Sequence, residues 1–236
     1  MSILEKVYYE ESNNIESIEK FKLRYPKSIY INEINKKEEL IKYISAKNNR
    51  NMLQINKFIN SYPNSKYCDE LRKEFINIIE SKLITIEGNK NIKSFKIGMT
   101  EVTQEDYEAV MEINSTKFEK NPLKPIDNIT FYDAVEFCNR LSILNKEKPY
   151  YVVKVKRIDE NGVIREAKIN ENKLSKGYRL PRAEEWEYAA KGGNFAEKYI
   201  YSGSNNSDEI SWNILNSKNK PNNIAQNRPN KLGIMI

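Results

Sequence analysis

Residues 177–193 read GYRLPRAEEWEYAAKGG, and this stretch decides the fold. Gly177 begins a turn, and Tyr178–Pro181 reads as a short strand. A proline does not sit inside a helix, so the next helix runs from Ala183 to Lys191. Gly192 and Gly193 end it, because a left-handed residue closes a helix most readily as glycine. At helical spacing Trp186, Ala189 and Ala190 share a face. The alanines let the helix come close to a sheet, and Trp186 is expected to fill the core beside them. Glu184, Glu185 and Glu187 crowd the same helix. Carboxylates near a helix start complement its dipole, and that reading is preferred here to paired-carboxylate catalysis.

Upstream, short strands alternate with capped helices. Phe95–Met99 alternates as a strand does. Thr103-Gln104-Glu105-Asp106 is a capping box that opens a helix with Tyr107, Val110 and Met111 on one face. Thr130-Phe131-Tyr132-Asp133 is a second box, leading a helix with Ala134, Val135, Cys138 and Leu141 inward. Val152–Ile158 and Val163–Ile169 flank Asn161-Gly162, the dipeptide of a tight hairpin turn. Mixed elements in this order give an α+β domain.

Residues 1–83 read as helical and contain an internal repeat. Ile18-Glu19-Lys20-Phe21-Lys22-Leu23-Arg24-Tyr25-Pro26-Lys27-Ser28 aligns with Ile55-Asn56-Lys57-Phe58-Ile59-Asn60-Ser61-Tyr62-Pro63-Asn64-Ser65, with a spacing of 37 residues (18 to 55). In each copy the proline forces the preceding tyrosine out of the helix, and Ser28 or Ser65 is placed to cap the next one. The segment resembles tetratricopeptide-like helical hairpins. Repeats of that length stack to bury a continuous core, and two copies leave it short, so this module is expected to lean on a neighbour or a partner.

Composition removes several chemistries. The chain has 236 residues with 39% hydrophobic and 31% charged, as globular proteins do. It contains no histidine, which excludes Ser-His-Asp and Cys-His catalysis, histidine-iron triads and nearly all catalytic zinc sites. Cys68 and Cys138 lie far apart without CxxC spacing and read as buried free thiols. The net charge of +6 comes mostly from lysines interleaved with glutamates, a solvated surface of the kind AT-rich codon usage produces rather than a nucleic-acid stripe. No apolar run approaches the ~20 residues of a membrane span, and Met1–Glu11 has no secretory pattern. A cytoplasmic location without membrane or nucleic-acid partners is expected.

Four stretches in order resemble the formylglycine-generating-enzyme, or sulfatase-modifying-factor, family: SFKIGMTEVTQ (94–104), PIDNITFYDAVEFCNRLS (125–142), GYRLPRAEEWEYAAKGG (177–193) and YIYSGSNN (199–206). The family motif falls on Arg179, Leu180, Pro181, Glu184, Trp186 and Glu187. The resemblance implies a truncated C-type-lectin-like domain over 84–236, preceded by a small all-α hairpin module over 1–83. Where the family has threonine after Leu-Pro, this chain has Arg182, so the helix loses its capping oxygen. The family's enzymes are copper-dependent oxidases that also hold calcium, the copper sitting on a cysteine pair beyond a Gly-Asn-Val-Trp-Glu-Trp stretch. This chain ends with Pro229-Asn230-Lys231-Leu232-Gly233-Ile234-Met235-Ile236, and neither Cys68 nor Cys138 matches that pair. The expectation is therefore a catalytically inactive truncated product with no catalytic residue, metal or cofactor of its own. The alternative is a lectin-like protein-binding or scaffold module. Partners would be proteins or peptides, taken up by the helical module or by an unpaired strand near Phe95.

Overall fold

The computed structural model describes residues 3–160 and 164–235. They form two compact units, 1–75 and 76–236, divided within one helix. The first unit is helical: α1 (Ile3–Glu11), α2 (Ile15–Arg24), α3 (Ile31–Asn49), α4 (Met52–Ser61) and most of α5 (Cys68–Glu80). The sequence repeat is also a structural one. Tyr25 closes α2 at φ −130°, ψ 59°, and Tyr62 closes α4 at φ −131°, ψ 58°. Their N–H groups donate to the carbonyls of Phe21 (2.8 Å) and Phe58 (2.9 Å). Asn14 and Asn51 cap the two helices by accepting from Ser17 and Gln54 N–H. Ser28 and Ser65 do not cap the next helix as expected. Their hydroxyls accept from N–H groups two residues on, Tyr30 (3.0 Å) and Tyr67 (3.2 Å), and so shape the turn. Ile18, Phe21 and Ile34 form the buried centre of α2 and α3, ringed by tyrosines.

In the second unit the order is β1 (Leu83–Ile86), β2 (Phe95–Gly98), α6 (Gln104–Met111), α7 (Phe131–Leu144), β3 (Tyr151–Ile158), β4 (Ile164–Glu171) and α8 (Ala183–Ala190). β1 pairs antiparallel with β2, from Leu83 opposite Gly98 to Ile86 opposite Phe95. β3 and β4 form a second antiparallel pair with a bulge around Arg157. The Asn161-Gly162 turn predicted between them, together with Val163, lies outside the described residues. β1 is a correction to the sequence reading, which carried the helical segment through residue 83. Four residues rich in β-branched side chains are too short for periodicity to separate strand from helix.

Both predicted N-caps are present. Thr103 accepts from Asp106 N–H (3.1 Å), and Thr130 and Asp133 form the full reciprocal box. The expected strand at Tyr178–Pro181 is not formed; the segment lies outside either sheet. Its N–H groups go to side chains rather than to a ladder: Tyr178 N–H donates to Ser142 Oγ (2.8 Å), and Leu180 N–H donates to Tyr151 Oη (3.1 Å). α8 ends at Gly192 and Gly193, both at positive φ. Ala189 and Ala190 are buried as expected, but Trp186 is 46% exposed. It does not fill the core. Ala189 takes the closely packed face against Ile86 and Ile234, and the indole stands beside an open cleft.

Candidate binding cleft

A cleft of about 650 Å³ runs along β2, with its walls in the second unit. The β1–β2 hairpin forms one side, and Tyr107 of α6 with Phe137, Cys138 and Leu141 of α7 the other. Segment 177–181, Trp186, Ile234 and Met235 complete it. Three anchors set this geometry. Asn139 of α7 exchanges two hydrogen bonds with the main chain of Tyr151, at 3.0 and 3.1 Å, and so fixes α7 on β3. Gly177 passes so close to α7 that a Cβ there would lie 2.6 Å from Ser142 Oγ and from the Lys148 carbonyl. No other residue fits without displacement. Asn230 donates to the carbonyls of Ala189 (2.8 Å) and Ala190 (3.0 Å) and accepts from Leu232 N–H (2.9 Å) and Ile234 N–H (3.2 Å). It thereby caps α8 and holds the 230–235 segment at the cleft.

Most charges along the cleft are paired, Glu101 and Lys176 apart. Arg179 binds Glu185 at 2.6 Å, Lys82 binds Asp106 at 2.5 Å, and Lys96 binds Glu80 at 2.6 Å. Glu80 also accepts from Tyr178 Oη at 2.7 Å. Burial works against the Glu80 carboxylate, but hydrogen bonds from Lys96 and Tyr178 outweigh it and lower its pKa. The hydrogen bond from Arg179 does the same for Glu185 against a smaller burial cost. Burial pushes Tyr107 up to about 12, and the Cys138 thiol to about 12.

Of the sequence-predicted motif residues, Arg179, Leu180, Pro181 and Trp186 line the cleft together. Glu184 and Glu187 face solvent, and Glu187 pairs with Lys191 one turn on. Glu185, read from sequence only as a dipole partner, is the buried acid that binds Arg179. Glu80 and Asp106 were not singled out as cleft residues, since nothing in their spacing shows which cations they meet.

The family model for the sulfatase-modifying factor enzyme 1-like domain matches residues 80–235. The chain belongs to this family. Its sulfatase-modifying-factor-like domain therefore has the mixed α+β, C-type-lectin-like fold that the resemblance implied, after a helical N-terminal segment. Chaperone protein LppX of Paenibacillus barcinonensis is 40% identical over 146 residues, which are 60% of this chain and 51% of that protein. The chain thus spans about half the length of the curated relative it matches. Among solved structures, Treponema denticola variable protein 1 superposes with a TM-score of 0.52 at 30% identity, covering 65% of this chain and 67% of that one. The crystal structure of CarF gives 0.47 at 25% identity, covering 64% and 70%.

The residues present do not fit the copper site of the family's oxidases. Cu(I) calls for a pair of thiolates. Cys138 is buried in α7 as a high-pKa thiol, and Cys68 belongs to the other compact unit. Among the described residues no three histidine, cysteine, aspartate or glutamate side chains converge as metal ligands, and no helix is long and apolar enough to cross a membrane.

Proposed function

We propose that these residues form a non-catalytic, polypeptide-binding member of the family, and that the cleft beside β2 is where the polypeptide binds. The observation that carries this reading is the cleft itself: an open, mainly apolar trough in which six of the eight charged side chains pair with one another, with a tryptophan half exposed at its side. Exposed apolar surface of that kind marks an interaction site more often than a site of polar chemistry. The curated relative bears the name of a chaperone, which agrees with it. Oxidase chemistry is disfavoured because Cys138, the one cysteine of the second unit, stays a thiol at neutral pH.

The test uses tryptophan emission. The chain has two tryptophans, so Trp212→Phe leaves Trp186 as the sole reporter. Titration with reduced, carboxymethylated ribonuclease A, which like carboxymethylated α-lactalbumin is permanently unfolded but has no tryptophan, is expected to shift Trp186 emission to the blue and to saturate. Ile97→Lys, which sets an unpaired charge in the trough, is expected to weaken binding at least tenfold. Unchanged emission at saturating polypeptide would refute the reading.

A further inference from the structure

We propose that the β3–β4 hairpin and the turn that follows it form a docking surface for a lipid bilayer carrying anionic headgroups, with Leu174 inserted among them.

The chain's excess charge is concentrated on this part of the fold. Residues 145–177 hold nine basic and five acidic side chains, so this stretch carries +4 of the net +6. Val153 and Ile169 pack inward on the cluster that holds Val135 and Cys138. Side chains alternate along a strand, so their neighbours Lys154 and Lys168 face outward. These two lysines are register partners, directly opposite each other, and both are exposed. Lys156 and Arg165 have carboxylates beside them, Glu166 at 3.1 Å and Asp159 at 2.6 Å. Lys154 and Lys168 have no ion pair among the described residues. Like charges placed opposite each other repel, and an anionic partner relieves the repulsion.

The turn beyond β4 is tightly built. Ser175 N–H donates to the Asn172 carbonyl at 2.9 Å, which makes Lys173 and Leu174 the central residues of a β-turn. Asn172 N–H donates to the Tyr150 carbonyl at 2.7 Å, and Ser175 Oγ donates to the Lys148 carbonyl at 2.5 Å. These bonds tie the turn to residues 148–150, so Leu174 is held out by its own neighbourhood. It is 95% exposed, the highest value among the exposed large apolar side chains of the described residues. Lys148, Lys173 and Lys176 are exposed around it and have no ion pair among the described residues.

Shape and charge together choose the occupant. The turn projects a single apolar side chain and offers no groove, so it suits a soft surface rather than a shaped ligand. Lysines are drawn to anionic headgroups, and their long stems let the ammonium groups stay at that level while a leucine enters the acyl boundary. Lys168 and Leu174 are six residues apart, at most about 20 Å when fully extended, so hairpin and turn can rest on one patch of bilayer. A spanning segment, whose absence from the sequence argued against a membrane partner, is not needed for such attachment.

The test mixes the full chain with vesicles of phosphatidylcholine, or of phosphatidylcholine and phosphatidylglycerol in equal parts, and reads bound protein by flotation. The salt is about 0.15 M, where charges act over about 8 Å. Binding to the mixed vesicles alone is expected. Lys154→Glu with Lys168→Glu is expected to lower affinity at least tenfold, and Leu174→Ser at least threefold. Lys117→Glu with Lys120→Glu makes the same change in net charge on another exposed loop and is expected to alter affinity less than twofold. As a second readout, Leu174→Cys carries a nitrobenzoxadiazole label, since Cys68 and Cys138 are buried. Its emission is expected to shift to the blue on the mixed vesicles, and this decides the matter if a lysine variant fails to fold. No binding, equal binding to both vesicles, equal losses for the two charge reversals, undiminished binding of Leu174→Ser, or unshifted label on bound protein would each overturn the proposal. So would capture of polyglutamate without capture of mixed vesicles, which would assign the surface to an acidic polypeptide.

Discussion

Arg179 grips Glu185 through two parallel hydrogen bonds, Nη2 to Oε1 at 2.6 Å and Nη1 to Oε2 at 2.7 Å. The same Oε2 accepts from Arg182 N–H at 2.9 Å, so one carboxylate joins the RLP segment to the first turn of α8. Both partners are largely sheltered, with side-chain exposures of 27% and 12%. Glu185→Ala leaves the guanidinium unpaired and uncaps α8, and is expected to cost about 2–4 kcal/mol in urea denaturation. Arg179→Lys is not expected to rescue the fork, because an ammonium cannot bind bidentately. The linkage has a definite sign. The folded Glu185 pKa lies below its ordinary 4.5, so its contribution is complete above about pH 4.5 and is lost as pH falls through the lowered value. Glu185→Gln should flatten that part of the stability profile.

Asn230→Ala removes five hydrogen bonds, a long one to Ser202 Oγ (3.5 Å) among them, and strands the last carbonyls of α8. A loss of about 2–4 kcal/mol is expected. Asn230→Asp should be similarly harmful, because a carboxylate facing two carbonyls has no proton to offer. Urea melts of both variants check this, and a near-neutral Asp form would contradict it.

Arg182→Thr tests the missing cap. Arg182 occupies the N-cap position with extended backbone, and its side chain makes no capping hydrogen bond. A threonine oxygen there can accept from Glu185 N–H, and such caps contribute about 1 kcal/mol. Arg182 also bonds Tyr150 and lies near Glu171 at 3.9 Å, exposed contacts whose loss should not cancel the gain. A higher melting temperature for Arg182→Thr is the expected result, read by calorimetry.

Cys138 should resist alkylation in the folded chain at pH 8, where Cys138 of urea-unfolded chain reacts readily. Burial lifts its pKa from 9.0 to about 12, so the folded state favours the protonated thiol. That contribution is present below about pH 9 and is lost as pH rises toward 12. Cys138→Ala should lose stability less steeply over that interval than the parent. Iodoacetamide labelling followed by peptide mass mapping gives the rate directly.

The parts of this fold that sequence revealed are those decided by local chemistry. Thr103 and Thr130 mark two helix starts, the Tyr-Pro pairs mark the ends of α2 and α4, and Gly192-Gly193 marks the end of α8. The cleft was hidden because it is assembled from distant segments. Trp186 sits three residues before a buried alanine, and helical spacing alone placed it in the core. Its real surroundings depend on how far β2 stands from α7, which no local pattern encodes. Tyr178–Pro181 has strand-like residues, yet Ser142 and Tyr151, far away in sequence, take the hydrogen bonds a ladder would have used. Arg179, Leu180 and Pro181 were legible as a motif, but their position along a trough came only from the packing.

Amide hydrogen exchange along β2 tests most directly whether this cleft holds polypeptide. Exchange is followed by mass spectrometry on the full chain, with and without saturating carboxymethylated α-lactalbumin. The account predicts slower exchange in peptides covering Phe95–Met99 and Tyr178–Leu180, with α2 and α4 unchanged. Binding that leaves Phe95–Met99 exchanging at its original rate, or that protects only the helical unit, would contradict it.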